Sequence, residues 1–220
     1  MLNLAADDGL LESVPRISLG SERHRARARV LSGEELERLL SKSPRWLQRV
    51  EIAAYETAIS QGDLLGLDWP QVDEQEGLIR LKGGRGKTGV KQIAPVTPAL
   101  RSILAELRTE QQRVRSIENR VFTKEGRPIK RSQLRKAFDR AVLDAGTEDF
   151  VFHDFRHMAK TKWAEMGIPV EASMLAAGQT SLAMHSRYVN LQEAHLKEAF
   201  KMLTTCSHEN SEQSCNTVTA

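Results

Sequence analysis

The heptapeptide Val151-Phe152-His153-Asp154-Phe155-Arg156-His157 places three basic side chains within five residues and sets them between aromatic ones. In a helix His153 and Arg156 are three apart and His157 is four from His153, so all three leave from nearly one face. A face of that kind can hold an anion. Histidines at i and i+4 are also a zinc geometry, but the zinc-protease helix carries Glu where this sequence has Asp154, and no third ligand is evident. A plain helix start, with polar residues around Phe152 and Phe155, is a third reading of the same seven residues.

Basic residues elsewhere bear on the choice. The formal net charge is only +3, so position matters more than the total. Arg23, Arg25, Arg27 and Arg29 alternate with other residues in RHRARAR, and an extended chain turns all four to one side. That pattern suits an arm laid along a phosphate backbone, and it equally suits a solvated basic linker. Between Arg108 and Arg140 stand 11 Lys or Arg against 4 Asp or Glu, with the adjacent pair Lys130 and Arg131 among them. Basic character is therefore concentrated in the middle of the chain.

A chain of 220 residues can bury one sizeable core, or one domain with a fragment of another. It has no apolar run of about 18 residues, and its first residues, MLNLAADDGLLESVP, lack a basic start followed by an apolar stretch. A cytosolic protein with no membrane partner is expected. Cys206 and Cys215 both lie within the last fifteen residues, so no disulfide framework holds a core, which fits a reducing compartment.

The elements that must position these groups follow from periodicity. Residues 2–13 read as a short amphipathic helix that ends before Pro15, and a basic linker follows. Leu31-Ser32-Gly33-Glu34-Glu35-Leu36 has the form of a capping box, with Ser32 as N-cap, Glu35 at the third helical position, and Leu31 and Leu36 as staple. A domain begins there. Trp46, Leu47, Val50, Ala53, Ala54 and Ala58 keep helical spacing through a second helix, and a short third helix begins at Gln61. The period then changes: 77–82 and 90–96 read as two strands joined by the loop GGRGKTG, with Pro95 at an edge or a strand end. Helices are expected at 97–113, 131–145, 153–166, 170–177, 181–188 and 191–203, and a short strand at Val121-Phe122-Thr123 is expected to complete the sheet. The last residues, 204–220, are polar and read as a disordered tail.

In this order the segments GDLLGLDW (62–69), KTGVK (87–91), HDFRH (153–157) and GQTSLAMHSRY (178–188) resemble the catalytic domain of tyrosine recombinases, the phage integrase family, over about residues 31–203. The resemblance implies a mainly helical α+β domain with a small three-stranded antiparallel sheet. It also implies double-stranded DNA as partner, site-specific recombination through a 3′-phosphotyrosyl link, and no metal or nucleotide cofactor. Tyr188 then stands in the place of the nucleophile, Arg156 and His153 in that of the phosphate clamp, and Lys87 in that of the general acid, with Lys82 and Lys91 as competing assignments. Arg85, Lys91, Lys130 and Arg131 join the four arginines of the linker as expected DNA contacts. The helix at 191–203 matches one that the family exchanges between protomers, so a homo-oligomer on DNA is expected. Residues 1–30 resemble the last helix of a core-binding domain followed by its linker.

Such a site suits its chemistry. A tyrosine hydroxyl, with an ordinary pKa near ~10, attacks phosphorus at neutral pH only where cations stabilise the phenolate and the pentacoordinate phosphate. Arginine presents a planar fork to two phosphate oxygens, and histidine adds a donor. Two positions depart from the family pattern. Ser60 stands where the family has its first arginine, two residues before the glycine of GDLLGL, and a serine is uncharged and too short to reach the same oxygen. Gln179, nine residues before Tyr188, stands where His or Trp is usual, and it still donates a hydrogen bond. Strand cleavage is expected to be impaired, severely by the loss of the arginine at position 60 and mildly by Gln179, unless Arg85 or Gln61 replaces the arginine in part.

Overall fold

A computed structural model describes residues 29–81, 92–113 and 119–179. The chain enters through the expected capping box: Ser32 Oγ accepts from the amide of Glu35 at 3.2 Å, and the Ser32 amide donates to Glu35 Oε2 at 2.9 Å. Helix α1 (Gly33–Lys42) follows, then α2 (Arg45–Thr57) and the short α3 (Gln61–Leu65). A 3-10 turn at Trp69–Gln71 leads into β1 (Val72–Asp73), β2 (Leu78–Leu81) and β3 (Gln92–Pro95). Beyond them come α4 (Pro98–Arg113), β4 (Thr123–Lys124), β5 (Arg127–Pro128), α5 (Arg131–Ala145), α6 (Asp154–Glu165) and α7 (Val170–Ala177). The fold is α+β and mainly helical, with a small three-stranded antiparallel sheet in the order β1-β2-β3.

One expectation about that sheet is corrected. Its third strand is Val72–Asp73, paired Val72 with Ile79 and Asp73 with Leu78, and not the segment at Val121-Phe122-Thr123. Thr123–Lys124 instead pairs with Arg127–Pro128 in a separate hairpin. Its two-residue loop, Glu125-Gly126, has positive φ at both positions (54° and 73°), the primed turn whose twist matches antiparallel strands. That turn pairs Thr123–Lys124 with its own neighbour, while the Val121 amide donates to Leu67 O at 2.8 Å and the Val121 carbonyl accepts from Gln111 Nε2 at 2.9 Å, so the segment's backbone groups are used away from the sheet.

The core sets the site in place from two sides. Phe138 of α5 meets Phe150, Phe152 and Phe155 at ring centroid distances of 5.4–6.3 Å in tilted and edge-on pairs, which fixes the start of α6 against α5. On the other side α6 packs against α2, where Ala58, Ala159, Trp163 and Ala177 form a small buried cluster of their own. Small side chains let the backbones of α2, α6 and α7 approach closely. Lys162 adds an ion pair to the nearly buried Glu56 at 2.8 Å and lies 4.7 Å from the ring centre of Tyr55, which is half-buried against the core as its apolar helix suggests.

Candidate functional site

Three helix ends meet at Arg156. One Nη donates to the carbonyl of Ala58 at 2.9 Å, and the other donates to the carbonyl of Ala177. Both acceptors close helices: Ala58 is the C-cap of α2, and Ala177 is the last residue of α7, capped by Gly178. The guanidinium thus satisfies carbonyls that a helix end leaves without a partner and meets the negative end of each helix dipole. Ala58 itself turns through the left-handed region (φ 53°), which costs a non-glycine residue about 1–2 kcal/mol. The Thr57 hydroxyl steadies this turn by donating to Ala53 O at 2.6 Å and accepting from the Ile59 amide at 3.2 Å.

Each of those helix ends lies two residues before one of the site positions singled out in the sequence. After Ala58 comes Ser60, the N-cap of α3, whose Oγ accepts from the Asp63 amide at 3.3 Å and donates to Asp63 Oδ2 at 2.6 Å. Its hydroxyl is therefore committed to the turn it caps. After Ala177 comes Gln179, whose Oε1 lies 3.4 Å from Lys160 Nζ. Strand β3 is tied to the same corner: Gln92 Nε2 donates to Ala176 O at 2.7 Å, and its side chain fills the space beside Gly178. The base of the β2–β3 hairpin thereby lies next to Gln179.

His153 precedes α6 as its N-cap in helical geometry, and its ring lies 4.9 Å from that of His157, edge to face. The three basic groups do leave from one end of α6, but they differ in environment: His153 is exposed, Arg156 is half-buried, and His157 is buried. Lys160, one turn further and fully buried, extends the same face; sequence reasoning passed over it, although its spacing of four from Arg156 and seven from His153 was visible.

Burial, and after it the crowding of cations, shows in their protonation. Desolvation, then Arg156 and Lys160, holds His153 below its ordinary pKa. Burial, then the charges of His153, Lys160 and Arg156, pushes His157 down to about 4, and burial with Arg156 pushes Lys160 down to about 7. At pH 7 both histidines are then predominantly neutral, and His153 keeps a free electron pair for a proton. An anion brought to this corner would meet the charge of Arg156 and favour the protonated form of Lys160. Among the described residues no group of three His, Cys, Asp or Glu side chains is placed to hold a metal ion.

Beside this corner lies a cleft of about 620 Å³ lined by Gln61, Arg131, Phe152 and His153 among others. Lys130 and Arg131 are exposed at the start of α5. Arg29 is paired with Glu35 of the capping box at 3.0 Å. Tyr188, Lys87, Lys82, Lys91, Arg85, Arg23, Arg25, Arg27 and the helix expected at 191–203 lie outside the described residues. No helix among the described residues is long and apolar enough to cross a membrane.

Comparison with known proteins bears on the family and the fold. The model of the phage integrase family matches residues 29–195. The chain is 25% identical over 195 residues to the integrase of Salmonella phage P22, covering 86% of this chain and 50% of that protein. It is 28% identical over 181 residues to a shufflon-specific DNA recombinase of Escherichia coli, covering 81% of this chain and 42% of the relative. The chain thus spans about half the length of the curated relatives it matches. Among solved structures, the XerA recombinase superposes with a TM-score of 0.65 at 20% identity, covering 79% of this chain and 64% of that one. A lambda integrase tetramer bound to a Holliday junction gives 0.67 at 18% identity, covering 86% and 55%. At such identities the superpositions speak for the fold.

Proposed function

The chain belongs to the phage integrase family, and on that premise we propose that it binds duplex DNA and breaks and rejoins strands through a phosphotyrosyl link to Tyr188, at a rate lowered by the serine at position 60. The observation that carries this reading is the cationic corner in which Arg156, fixed by the ends of α2 and α7, stands with His153, Lys160 and Gln179. In the proposed step the Tyr188 oxygen bonds to phosphorus as its proton passes to the neutral imidazole of His153. The bond from phosphorus to the 5′-oxygen breaks, and Lys87 protonates the departing oxygen. Arg156 and Gln179 hold the non-bridging oxygens while charge builds on them.

DNA as partner is supported by relatives of the same fold: the lambda integrase tetramer is bound to a Holliday junction, and the XerH recombinase (TM-score 0.61) to a palindromic difH substrate. On this chain the basic residues Arg23, Arg25, Arg27, Arg29, Arg85, Lys91 and Lys130 would track the backbone. The test is a labelled duplex titrated at two salt concentrations, followed by covalent capture on a nicked suicide duplex. Log K is expected to fall with log salt by about 0.9 per neutralised phosphate, and a slow covalent adduct should vanish in Tyr188→Phe. Binding that is undetectable at low salt would overturn the DNA reading. An adduct unchanged in Tyr188→Phe would overturn the chemistry.

Assembly belongs to the same proposal. In LQEAHLKEAFKML, Leu191, Ala194, Leu196, Ala199, Phe200 and Leu203 share a stripe at helical spacing, suited to docking on a second copy. Deleting residues 191–220 is expected to abolish higher-order complexes on DNA in gel-shift assays while single-site binding persists. Equal loss of both would assign the segment to the chain's own core.

A further inference from the structure

We propose that Arg131 supplies to the DNA phosphate the guanidinium that position 60 lacks. The inference deepens the strand-cleavage reading above and rests on it. Four observations carry it. Arg131 is the first residue of α5, and its guanidinium lies across the first turn of α3, directly over Gly62. A Cβ added at Gly62 would overlap Nη2 of Arg131 and lie 3.4 Å from its Cζ, so the bare glycine is what leaves the guanidinium its seat. That seat is two residues from Ser60, and Arg131 lines the same cleft as Gln61 and His153. Among the described residues no carboxylate or carbonyl takes its donors, whereas Arg135 and Arg140 further along α5 are paired with Asp139 and Asp144.

Physically, the charge comes from a different element to a neighbouring place. An arginine at position 60 would leave from the N-cap of α3; Arg131 comes over that helix from α5 and stops at the same turn. Ser60 cannot compete, because its hydroxyl is held by Asp63. Arginine, with an always-charged planar fork, suits a phosphodiester oxygen in the cleft that it lines with His153. The guanidinium is exposed and less rigidly held than Arg156, so it replaces part and not all of the missing stabilisation.

The test uses the full chain and a nicked suicide duplex recovered from a randomised pool by its retention on the unmodified protein. Covalent capture rate and duplex affinity are measured for the unmodified chain and for Arg131→Ala, Gly62→Ala, Ser60→Arg, Ser60→Arg with Arg131→Ala, and Tyr188→Phe. Arg131→Ala is expected to lower capture by roughly 10²-fold, in the range of a single lost donor at an oxyanion, with affinity changed only a few-fold. Gly62→Ala keeps every charge and displaces only the guanidinium, and it should lower capture in the same direction. Because Arg131 is exposed and Ala favours a helix over Gly, neither variant threatens the fold. Ser60→Arg should raise capture by a larger factor in the Arg131→Ala background than in the unmodified chain.

The inference is overturned if Arg131→Ala and Gly62→Ala capture at the unmodified rate, or if Arg131→Ala loses affinity by as much as it loses capture, which would make Arg131 an ordinary backbone contact. It is also overturned if the unmodified chain forms no adduct on a duplex that Ser60→Arg captures. In the first two cases the unmodified chain still forms its Tyr188-dependent adduct, so the broader reading stands; in the third the fold and DNA binding stand, and cleavage by the unmodified chain falls with the inference. No Tyr188-dependent adduct in any of these proteins would overturn both together.

Discussion

Arg156 donates to the carbonyl of Ala58 at 2.9 Å across 98 residues of sequence, and its other Nη reaches the carbonyl of Ala177. One side chain thereby ties the ends of α2 and α7 and fixes the two positions that follow them, Ser60 and Gln179. The contact is structural in the folded chain and electrostatic toward an anion. Such a residue has two separable effects when it is changed.

Arg156→Lys separates them. A lysine retains the charge but cannot place two fixed donors on two helix ends, so one carbonyl loses its partner. Hydrogen bonds of charged groups contribute about 1.5–3 kcal/mol, and a chain of this size loses roughly 2–4 °C of Tm per kcal/mol. The expected result is a Tm lower by several degrees in differential scanning calorimetry, with covalent capture reduced by at least about 10²-fold. An unchanged Tm would show that the helix ends are held by other contacts.

Glu51 offers a test remote from the site. Its carboxyl is buried in α2, where Oε1 accepts from the Ser43 hydroxyl at 2.8 Å and Oε2 has no hydrogen-bond partner among the described residues. Burial pushes its pKa up to about 8, against the opposing hydrogen bond from Ser43. The folded chain thus holds a proton that the unfolded chain loses near pH 4.5, and stability falls as pH rises from about 4.5 to about 8. Glu51→Gln, which mimics the protonated form, should gain little at pH 5 and on the order of 3 kcal/mol at pH 8. Urea denaturation at the two pH values reads this directly; equal gains at both would place the carboxyl in a wetter setting.

Lys160 bends the pH dependence the other way. Its pKa is pushed down to about 7 by burial and by Arg156, below that of a lysine in the unfolded chain. Between about pH 7 and pH 10 the unfolded chain holds the extra proton, so stability rises with pH across that window. Lys160→Met should therefore stabilise most at or below pH 7 and progressively less toward pH 10. Phosphate brought beside Lys160 favours its charged form, so DNA binding at pH 7.5 should take up part of a proton. Calorimetry in two buffers of different ionisation enthalpy should show that uptake in the unmodified chain, and its persistence in Lys160→Met would remove Lys160 from the anion site.

How far the sequence leads is clearest at particular residues. Ser32 and Glu35 announce α1 because a capping box is a contact between near neighbours. The spacing of His153, Arg156 and His157 announces a basic helix face for the same reason. Val72–Asp73 does not read as the third strand because two residues leave no alternation to read, and Val121-Phe122-Thr123 reads as a strand although its bonds go to Leu67, Gln111 and the hairpin partner Pro128 and not to the sheet. Lys160 lay one turn beyond a motif already recognised. The seat of Arg131 over Gly62 joins residues far apart in the chain, and no periodicity encodes it.

Ser60→Arg is the change that bears most directly on the chemistry, and its outcome depends on two neighbours. Removing the serine deletes the N-cap of α3, since its hydroxyl both accepts from and donates to Asp63. That loss costs about 0.5–2 kcal/mol, so Tm should drop by a few degrees. The new guanidinium meets the Asp63 carboxylate, which is left without the serine donor and can hold the arginine back toward its own turn. Its gain is further limited if Arg131 already stabilises the same oxygens. A charged arginine on a transferring phosphoryl group is worth about 10³–10⁵, and with both limits a rise in capture of roughly 10²-fold is expected. Asp63→Asn added to Ser60→Arg should raise capture again by freeing the guanidinium, and Tyr188→Phe added to either should eliminate it. Capture that does not rise in Ser60→Arg, with duplex binding intact, would show that the serine is not what limits this site.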